Sequence, residues 1–213
     1  MRIVIVGATG YVGSALLTEA LARGHEVTAL VRDPRRLPQH PRLAAAAADL
    51  YDPAAVARAV GGHAAVLCAF SPGRDVADLR LRHRAGSAAL LEGVRRGGVP
   101  RLLVVGGAGS LEVAPGLQLA DAPGFPPEYR ETALATRDVL ELLRAEDQVR
   151  WTFLSPPAEL VPGPRTGHYR LGGDTLLVDA QGMSRLSVAD YAVAMLDELE
   201  RPGHDRRRFS VAA

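Results

Sequence analysis

The sequence contains no lysine, and all 25 of its basic residues are arginine. Any mechanism that requires a lysine side chain is therefore excluded. The arginines are balanced by 24 acidic residues, which leaves a net charge of +1. A charge this close to zero gives no indication of a nucleic-acid surface or of an acidic partner.

Cysteine and long apolar runs are also scarce. The single cysteine, Cys68, excludes an internal disulfide bond and a cysteine-rich metal site. The six histidines show no spacing typical of metal ligands, so we expect no metal. No apolar run approaches the roughly 20 residues that a membrane helix needs, and the first residues lack the basic flank and cleavage site of a signal peptide. We therefore predict a cytoplasmic protein, monomeric or homodimeric, with neither a nucleic-acid nor a membrane partner.

Short apolar runs alternate with helical patterns along most of the 213 residues. Elements that alternate at this spacing predict βαβ units and therefore an α/β fold of the Rossmann type, a doubly wound parallel sheet with helices on both faces. The predicted strands span residues 2–6, 26–31, 42–49, 63–70, 101–107 and 149–155. The predicted helices span residues 11–22, 52–60, 78–97, 127–146 and 187–200.

The alternation breaks down between residues 156 and 182, where proline and glycine are frequent and a hairpin at 167–180 is the one regular feature that we predict. No linker separates a second domain. We therefore predict that residues 1–213 form a single Rossmann domain. Residues 156–186 would form a small C-terminal cap over the carboxyl edge of the sheet, on the substrate side.

Three glycines, Gly7, Gly10 and Gly13, separate the first predicted strand from the first predicted helix. A tight turn after a strand needs a residue that tolerates a positive φ, and a helix packs closely on a strand only where a side chain is missing. A pyrophosphate likewise reaches the backbone N–H groups of a helix start only where side chains are absent. The G-x-x-G-x-x-G spacing in this position predicts a dinucleotide-binding loop rather than an ordinary glycine-rich turn.

The end of the second predicted strand distinguishes NAD from NADP. An acidic residue there binds the ribose 2′-hydroxyl and repels a 2′-phosphate, but this strand is followed first by Arg32, with Arg35 and Arg36 behind it. The planar fork of arginine suits a phosphate and can stack on adenine. Asp33 complicates the pattern, although its place before Pro34 is more simply explained as the cap of a turn. We predict a preference for NADP(H), against the alternative that the arginines are only a solvated surface cluster.

Two further strand ends are expected to contact the dinucleotide. Asp49 and Leu50 follow the third predicted strand, where they would meet the adenine ring, although Asp49 could equally cap a turn. Residues 68–73 follow the fourth predicted strand and are expected to pass beside the ribose. Cys68 lies in an apolar run there, so we interpret it as a buried structural thiol and not as a nucleophile.

Several of these motifs resemble a known family. The stretches "VGATGYVG", "LVRDP", "ADLYD" and "VVGGAGSLE" resemble the atypical short-chain dehydrogenase/reductase superfamily, in its NAD(P)H-binding, NmrA-like branch. The stretches "LELLRAE", "WTFLSPPAEL", "PGPRTGHYRLGGD" and "SVADYAVAMLDELE" are similar to small NADH-flavin-reductase-like proteins, relatives in turn of biliverdin reductase B. The resemblance runs over nearly the whole chain and implies nicotinamide-dependent oxidoreductase activity.

The chain departs from this family at its catalytic positions. The usual Tyr-x-x-x-Lys pair, in which the lysine lowers the tyrosine pKa for proton transfer, would here join Tyr129 to Ala133. The serine that usually follows the fifth strand is replaced by Gly106 and Gly107, and Ser110 comes later. Tyr129 and Ser110 remain the candidate catalytic residues, but alcohol–carbonyl chemistry of the usual type is not expected. Hydride transfer to a flavin needs no obligatory protein acid, so the orientation of the two rings could supply most of the rate enhancement.

Two functional hypotheses follow. The first is an NAD(P)H-dependent oxidoreductase that transfers hydride to a flavin or a similar flat redox acceptor, its small-molecule partner. The alternative is a non-catalytic NAD(P)-sensing regulator; sugar epimerase activity is disfavoured because it needs a larger substrate domain and the tyrosine–lysine system. Pro156 lies in a stretch that resembles the one backing the nicotinamide in this superfamily. The predicted cofactor-binding residues are Gly7, Thr9, Gly10, Tyr11, Val12, Gly13, Arg32, Asp49, Leu50, Ala69, Phe70, Ser71, Gly106, Gly107 and Pro156.

Overall fold

The first strand, β1 (Arg2–Val6), lies inside an eight-stranded sheet in the computed structural model of the protein. Its uninterrupted apolar sequence is explained by burial on both sides. Ile3 and Ile5 pack into the apolar cluster on one face of the sheet, and Val4 and Val6 pack into the cluster on the other face. A strand that is covered on both faces has no polar side, so its polarity does not alternate.

The structure describes residues 1–73 and 76–213. In this part of the chain the remaining strands are β2 (Glu26–Leu30), β3 (Leu43–Ala46), β4 (Ala65–Cys68), β5 (Arg101–Val105), β6 (Glu112–Ala114), β7 (Leu117–Gln118), β8 (Arg150–Ser155), β9 (Glu159–Val161), β10 (Arg170–Gly172), β11 (Arg185–Ser187) and β12 (Arg207–Ala212). The helices are α1 (Tyr11–Ala22), α2 (Pro53–Val60), α3 (Leu79–Arg96), α4 (Pro127–Arg144) and α5 (Val188–Glu200).

The strand order of the main sheet is β10-β12-β8-β5-β4-β1-β2-β3. Its neighbouring strands are parallel except β10, which pairs antiparallel with β12 at one edge. Helices α1 and α5 cover one face, and α2, α3 and α4 cover the other. The predicted Rossmann-type, doubly wound α/β fold is therefore confirmed.

Local capping explains where two of the helices begin. The Asp52 side chain accepts the backbone N–H of Ala54 at 2.9 Å, and Pro53 occupies the first position of α2. The Ser187 hydroxyl accepts the backbone N–H of Asp190 at 2.9 Å at the start of α5. Each side-chain oxygen satisfies an N–H group that has no partner inside its helix.

The predicted hairpin at 167–180 is wrong. Strand β10 pairs with β12, so its partner lies near the end of the chain and not in the residues that follow it. The backbone beyond β10 turns instead toward Glu112, whose carbonyl oxygen accepts the N–H of Leu176 at 2.9 Å. The sequence analysis did not predict β12, because arginines occupy its first two positions and its apolar alternation is short. Among the described residues, no helix is long and apolar enough to cross a membrane.

Candidate functional site

The predicted site lies where β1 and β4 adjoin in the sheet. After β1 the chain passes to α1 on one face, and after β4 it passes to α3 on the other face. Such a reversal opens a crevice at the carboxyl edge of a parallel sheet, and ligands of open α/β sheets bind there.

Gly7 and Gly13 are glycines because the backbone around them leaves no room for a side chain. Gly7 has a φ of +77°, and a Cβ atom there would lie 2.6 Å from the carbonyl oxygen of Ala69. A Cβ atom on Gly13 would lie 2.0 Å from the carbonyl oxygen of Gly7. These two residues let α1 begin directly against the ends of β1 and β4.

Gly10 is not constrained in this way. Its φ of −83° and ψ of 174° suit any residue, and a Cβ atom there would lie 3.3 Å from the carbonyl oxygen of Gly7, a contact that a small shift relieves. Gly10 is the N-cap of α1 and gives the helix start no side-chain hydrogen bond, and no acidic residue lies in the first turn. N–H groups at a helix start need partners and favour an anion. The loop therefore fits a pyrophosphate, and the missing side chain of Gly10 keeps the approach open.

The other predicted residues of this loop surround the helix start. Thr9 and Val12 are half-buried, and Val12 packs against the core. Tyr11 is 51% exposed, and its hydroxyl donates a hydrogen bond to the carbonyl oxygen of Leu160 over 3.4 Å. Tyr11 therefore connects the start of α1 to β9.

Arg32 and Asp33 follow β2 at the same edge but differ in their contacts. The exposed Arg32 makes no side-chain hydrogen bond or ion pair with any residue that the structure describes. The Asp33 carboxylate accepts the backbone N–H of Arg35 at 3.1 Å and two hydrogen bonds from its guanidinium at 2.9 and 3.1 Å. These hydrogen bonds from Arg35 hold the pKa of Asp33 below its ordinary value. The carboxylate beside the predicted 2′-phosphate site is thus engaged with Arg35, and Arg32 is left available for an anion.

Asp49 and Leu50 lie in the turn after β3. The exposed Asp49 accepts the backbone N–H of Tyr51 at 3.0 Å, so it caps this turn, one of the two interpretations that the sequence left open. Leu50 is half-buried and packs against the apolar cluster below. The turn places both residues at the carboxyl edge of the sheet.

Phe70 is the centre of an aromatic group after β4. Its ring meets the rings of Tyr51 and His83 edge-on, with centroid distances of 6.2 and 5.6 Å. Burial lowers the pKa of His83, so its imidazole is neutral near pH 7. Ala69 and Phe70 are half-buried, and Ser71 is exposed. The group therefore forms an apolar wall beside the predicted ribose position.

Cys68 is buried at the end of β4, and burial raises the pKa of its thiol to about 11. A thiol with so high a pKa is protonated at neutral pH and is not a nucleophile. In the ranges 1–73 and 76–213, no group of three or more His, Cys, Asp or Glu side chains could hold a metal ion.

Crowding also explains the glycines after β5. A Cβ atom on Gly106 would lie 2.4 Å from a phenyl ring of β8, and one on Gly107 would lie 3.0 Å from the methyl group of Thr136. A Cβ atom on Gly109 would lie 2.6 Å from the Cβ atom of Ala133. Helix α4 thus packs directly on this loop through Ala133, the position where the family usually has its lysine.

Tyr129 and Ser110, the candidate catalytic residues, lie in different surroundings. Tyr129 is in the first turn of α4 and is 43% exposed. Ser110 is buried, and its carbonyl and hydroxyl oxygens accept hydrogen bonds from the Arg208 guanidinium at 3.3 and 3.4 Å. Arg208, on β12, also pairs with Asp174. Ser110 therefore holds the loop after β5 against β12.

Pro156 is half-buried directly beyond the end of β8. Just before it, the carbonyl oxygen of Leu154 accepts two hydrogen bonds, from the Gly106 N–H at 2.8 Å and from the Tyr191 hydroxyl at 2.7 Å. Tyr191 was missed by the sequence analysis. It lies in an apolar helical pattern, and only its hydroxyl distinguishes it from ordinary core positions.

Two buried carboxylates fasten the segment after β9 to α1 and α5. Asp190 accepts the N–H groups of Thr166 and Gly167 at 2.8 and 2.7 Å, and Glu19 accepts two hydrogen bonds from Arg165 at 2.7 and 2.8 Å. Burial opposes ionisation of Asp190, but its hydrogen bonds outweigh this and lower its pKa; hydrogen bonding to Arg165 lowers that of Glu19. The sequence placed Asp190 in the first turn of the last helix but indicated neither of these attachments, because the partners of the two carboxylates lie 24 and 146 residues away.

Comparison with known proteins identifies relatives that span the whole chain. The sequence matches the NAD(P)H-binding family over residues 7–199. It is 43% identical to the uncharacterized protein YwnB of Bacillus subtilis, an alignment that covers 100% of this chain and 99% of that protein. The structure of a candidate exported protein from Burkholderia pseudomallei has 44% sequence identity and a TM-score of 0.91, and the match covers 100% of both chains. That of a candidate NADH-flavin reductase from Streptococcus pneumoniae has 34% identity and a TM-score of 0.87, over 100% of this chain and 99% of that one.

These matches cover both the glycine loop and the helices that pack around it. The chain belongs to the NAD(P)H-binding family, an oxidoreductase-type group in the NmrA-like branch of the atypical short-chain dehydrogenases/reductases.

Proposed function

We propose that the protein is a reductase that uses NADPH in preference to NADH and passes a hydride to a flavin or a similar flat redox acceptor. The choice of acceptor rests on one observation. Ala133 stands at the position where the family usually has its lysine, and it packs directly against Gly109. Without a lysine beside Tyr129, the usual route of proton transfer to a carbonyl oxygen is missing. Hydride transfer between two flat rings depends chiefly on their relative placement, which binding residues can provide.

In this proposal the residues of the protein bind the cofactor and orient it toward the acceptor. The nicotinamide cofactor supplies the hydride when it is bound. In this proposal the N–H groups at the start of α1 bind the pyrophosphate, and Arg32 binds the 2′-phosphate. The remaining predicted contacts, which follow the ends of other strands, are Asp49 and Leu50 for adenine, Ala69, Phe70 and Ser71 for the ribose, and Gly106, Gly107 and Pro156 for the nicotinamide.

Residues 156–186 are proposed as the substrate-side cap. The support is the attachment of this segment to both α1 and α5, through Glu19 and Asp190, and the hydrogen bond from Tyr11 to Leu160. Tyr129 is proposed to contact the acceptor through its ring or hydroxyl without supplying an obligatory proton. The NADH-flavin-reductase description of the Streptococcus pneumoniae protein supports the same class of acceptor.

The test is steady-state oxidation of NADPH, followed by absorbance, with FMN, riboflavin or a quinone and without acceptor. We expect oxidation with at least one of these acceptors, and its loss in Gly10→Val. Binding of NADPH without oxidation by any acceptor would instead support the NAD(P)-sensing regulator. Rapid reduction of aldehydes or ketones, with none of flavins or quinones, would refute the proposed acceptor class.

A further inference from the structure

The carbonyl oxygen of Leu154 joins three elements of the fold. It accepts the Gly106 N–H at 2.8 Å, which ties the end of β5 to the end of β8 within the sheet. It also accepts the Tyr191 hydroxyl at 2.7 Å, which comes from α5 on one face. Both lone pairs of this oxygen are therefore used, and the two strand ends are fixed to a helix as well as to each other.

The hydroxyl of Tyr191 is not needed to fill space. The side chain is fully buried in the apolar cluster between the sheet and the helices α1 and α5. A phenylalanine would fill nearly the same volume without a polar group that has to be satisfied. Burial raises the pKa of Tyr191, so the hydroxyl keeps its proton and remains a donor.

The residues beside this hydrogen bond are those proposed to face the nicotinamide. Gly106 and Gly107 continue from β5, and Pro156 follows β8 by one residue. Gly106 is already wedged against β8, because even a Cβ atom there would lie 2.4 Å from the Phe153 ring. We call the residues that follow β5 and β8, Gly106, Gly107 and Pro156, the nicotinamide wall. The Tyr191 hydroxyl thus acts on a wall whose two parts, the end of β5 and the end of β8, are in close contact.

We propose that Tyr191 is a positioning residue of the reductase, whose hydroxyl sets the ends of β5 and β8 against the nicotinamide ring. The inference rests on the proposed function, since it assumes that hydride leaves the cofactor at this wall. Hydride transfer requires reacting atoms about 3–3.5 Å apart, and a misplacement on the order of 1 Å costs roughly 100-fold in rate. A smaller relaxation of the wall should slow the hydride step and leave cofactor binding intact.

Tyr191→Phe tests this proposal because it removes only the hydroxyl. Thr152→Val is the matched control. Thr152 is fully buried on β8, the strand that also contains Leu154. Its hydroxyl donates to the carbonyl oxygen of His204 at 3.0 Å, toward the amino edge of the sheet. For Tyr191→Phe we expect kcat to fall about 5- to 20-fold, with a larger isotope effect from deuterated NADPH and an almost unchanged dissociation constant for NADPH. Thr152→Val should retain kcat even if its melting temperature falls as far.

A structural role alone would lower stability in both variants and reduce their activities in parallel, and that result would overturn the proposal. Retention of full kcat by Tyr191→Phe would also overturn it, while the reductase assignment would stand. A second readout, the fluorescence of NADPH bound without acceptor, does not depend on turnover. If wild-type protein binds NADPH and reduces none of the acceptors, the proposed function fails. In that case a change of this fluorescence in Tyr191→Phe, and not in Thr152→Val, would still show that the Tyr191 hydroxyl positions the residues around the nicotinamide, and no change would overturn that placement as well.

Discussion

The two edges of the central sheet treat their polar groups in opposite ways. At the amino edge, where β5 starts, the buried Arg101 guanidinium donates to the carbonyl oxygens of Glu198 and Leu199 and to the Glu198 carboxylate, each at 3.1 Å. The same carboxylate accepts the backbone N–H groups of Gly203 and His204 at 3.1 and 3.0 Å. The helix-end carbonyls and the carboxylate thus have partners within the chain, although Arg101 Nε is buried without a hydrogen bond among the described residues and lies 3.8 Å from an Asp205 carboxylate oxygen.

The carboxyl edge leaves corresponding groups open. Helix α1 starts there without a side-chain cap, and the guanidinium of Arg32 has no partner among the residues that the structure describes. The amino edge satisfies a helix end internally, whereas the carboxyl edge leaves a helix start and a cation without partners among the described residues. A binding function is therefore best sought at the edge where the fold leaves donors without partners among the described residues.

The largest effect on stability should come from disrupting the closed edge. Arg101→Met takes the guanidinium away from the buried Glu198 carboxylate and leaves His204, 2.8 Å away, as its ion-pair partner. This should cost about 3 kcal/mol in the free energy of unfolding, measured by chemical denaturation. The NADPH affinity of the folded variant should stay within about twofold, because the two edges are distant and share no contacts. Arg201→Ala is the control. That arginine is 79% exposed and lies 3.5 Å from Asp197, so its loss should cost under about 1 kcal/mol. Equal losses in the two variants would contradict the importance of the buried pair.

Gly10→Val should close the open edge without unfolding the protein. The branched side chain would cover the N–H groups at the start of α1, and the loss of about two charge-assisted hydrogen bonds predicts at least about 100-fold weaker NADPH binding by calorimetry. Gly203→Val places the same side chain at the amino edge, where a Cβ atom would make only an ordinary 3.7 Å contact with Glu198. Its affinity should match that of the wild type. Unchanged binding in a folded Gly10→Val protein would sink the pyrophosphate assignment.

Arg32→Ala removes from the same edge the cation that has no partner among the described residues. A charge-assisted hydrogen bond contributes about 1.5–3 kcal/mol, so NADPH should bind roughly 10- to 100-fold more weakly, with a far smaller effect on NADH. Arg58→Ala, which removes an exposed arginine from α2, controls for net charge and should change neither. Equal weakening of both cofactors would show that Arg32 stacks on adenine or shapes the loop. No change with either would show that the arginines are only a surface cluster.

Tyr129→Phe should have the smallest effect on activity. It tests whether the carboxyl edge donates a proton to the acceptor or only binds and orients it. If the edge binds and orients without donating a proton, flavin turnover should change by less than about tenfold, perceptible mainly in the KM of the acceptor. Stopped-flow measurement of NADPH oxidation would check this. A loss of about 10²- to 10⁴-fold, the range for a missing general acid, would return the protein to carbonyl-reducing chemistry.

The order of strands and helices could be predicted because each element carries its own local signal. The strand β1 is an apolar run between a charged residue and Gly7, and α5 begins at a recognisable cap, Ser187. The pairing of β10 could not be predicted in the same way. Its partner, β12, lies 35 residues further along the chain, and nothing in the residues around β10 indicates which strand it pairs with.

The residues of the candidate site also differ in whether a local sequence signal indicates them. The glycine loop and Arg32 follow strands in sequence, so a motif located them. The roles of Glu19, Asp190 and Tyr191 depend on partners that only the folded chain brings near. An acidic residue in a helix has the same local sequence whether its carboxylate is buried against a distant loop or faces water.

The bonds of Asp190 have a consequence for how the protein moves. The amide protons of Thr166 and Gly167 lie in an exposed loop, yet both are held by a carboxylate that is 3% exposed. Such amides exchange with solvent only after their hydrogen bonds to Asp190 break, so we expect the protection of this loop to follow that of α5. The loop that contains Thr166 and Gly167 would then open together with α5 and would not move as an independent flap.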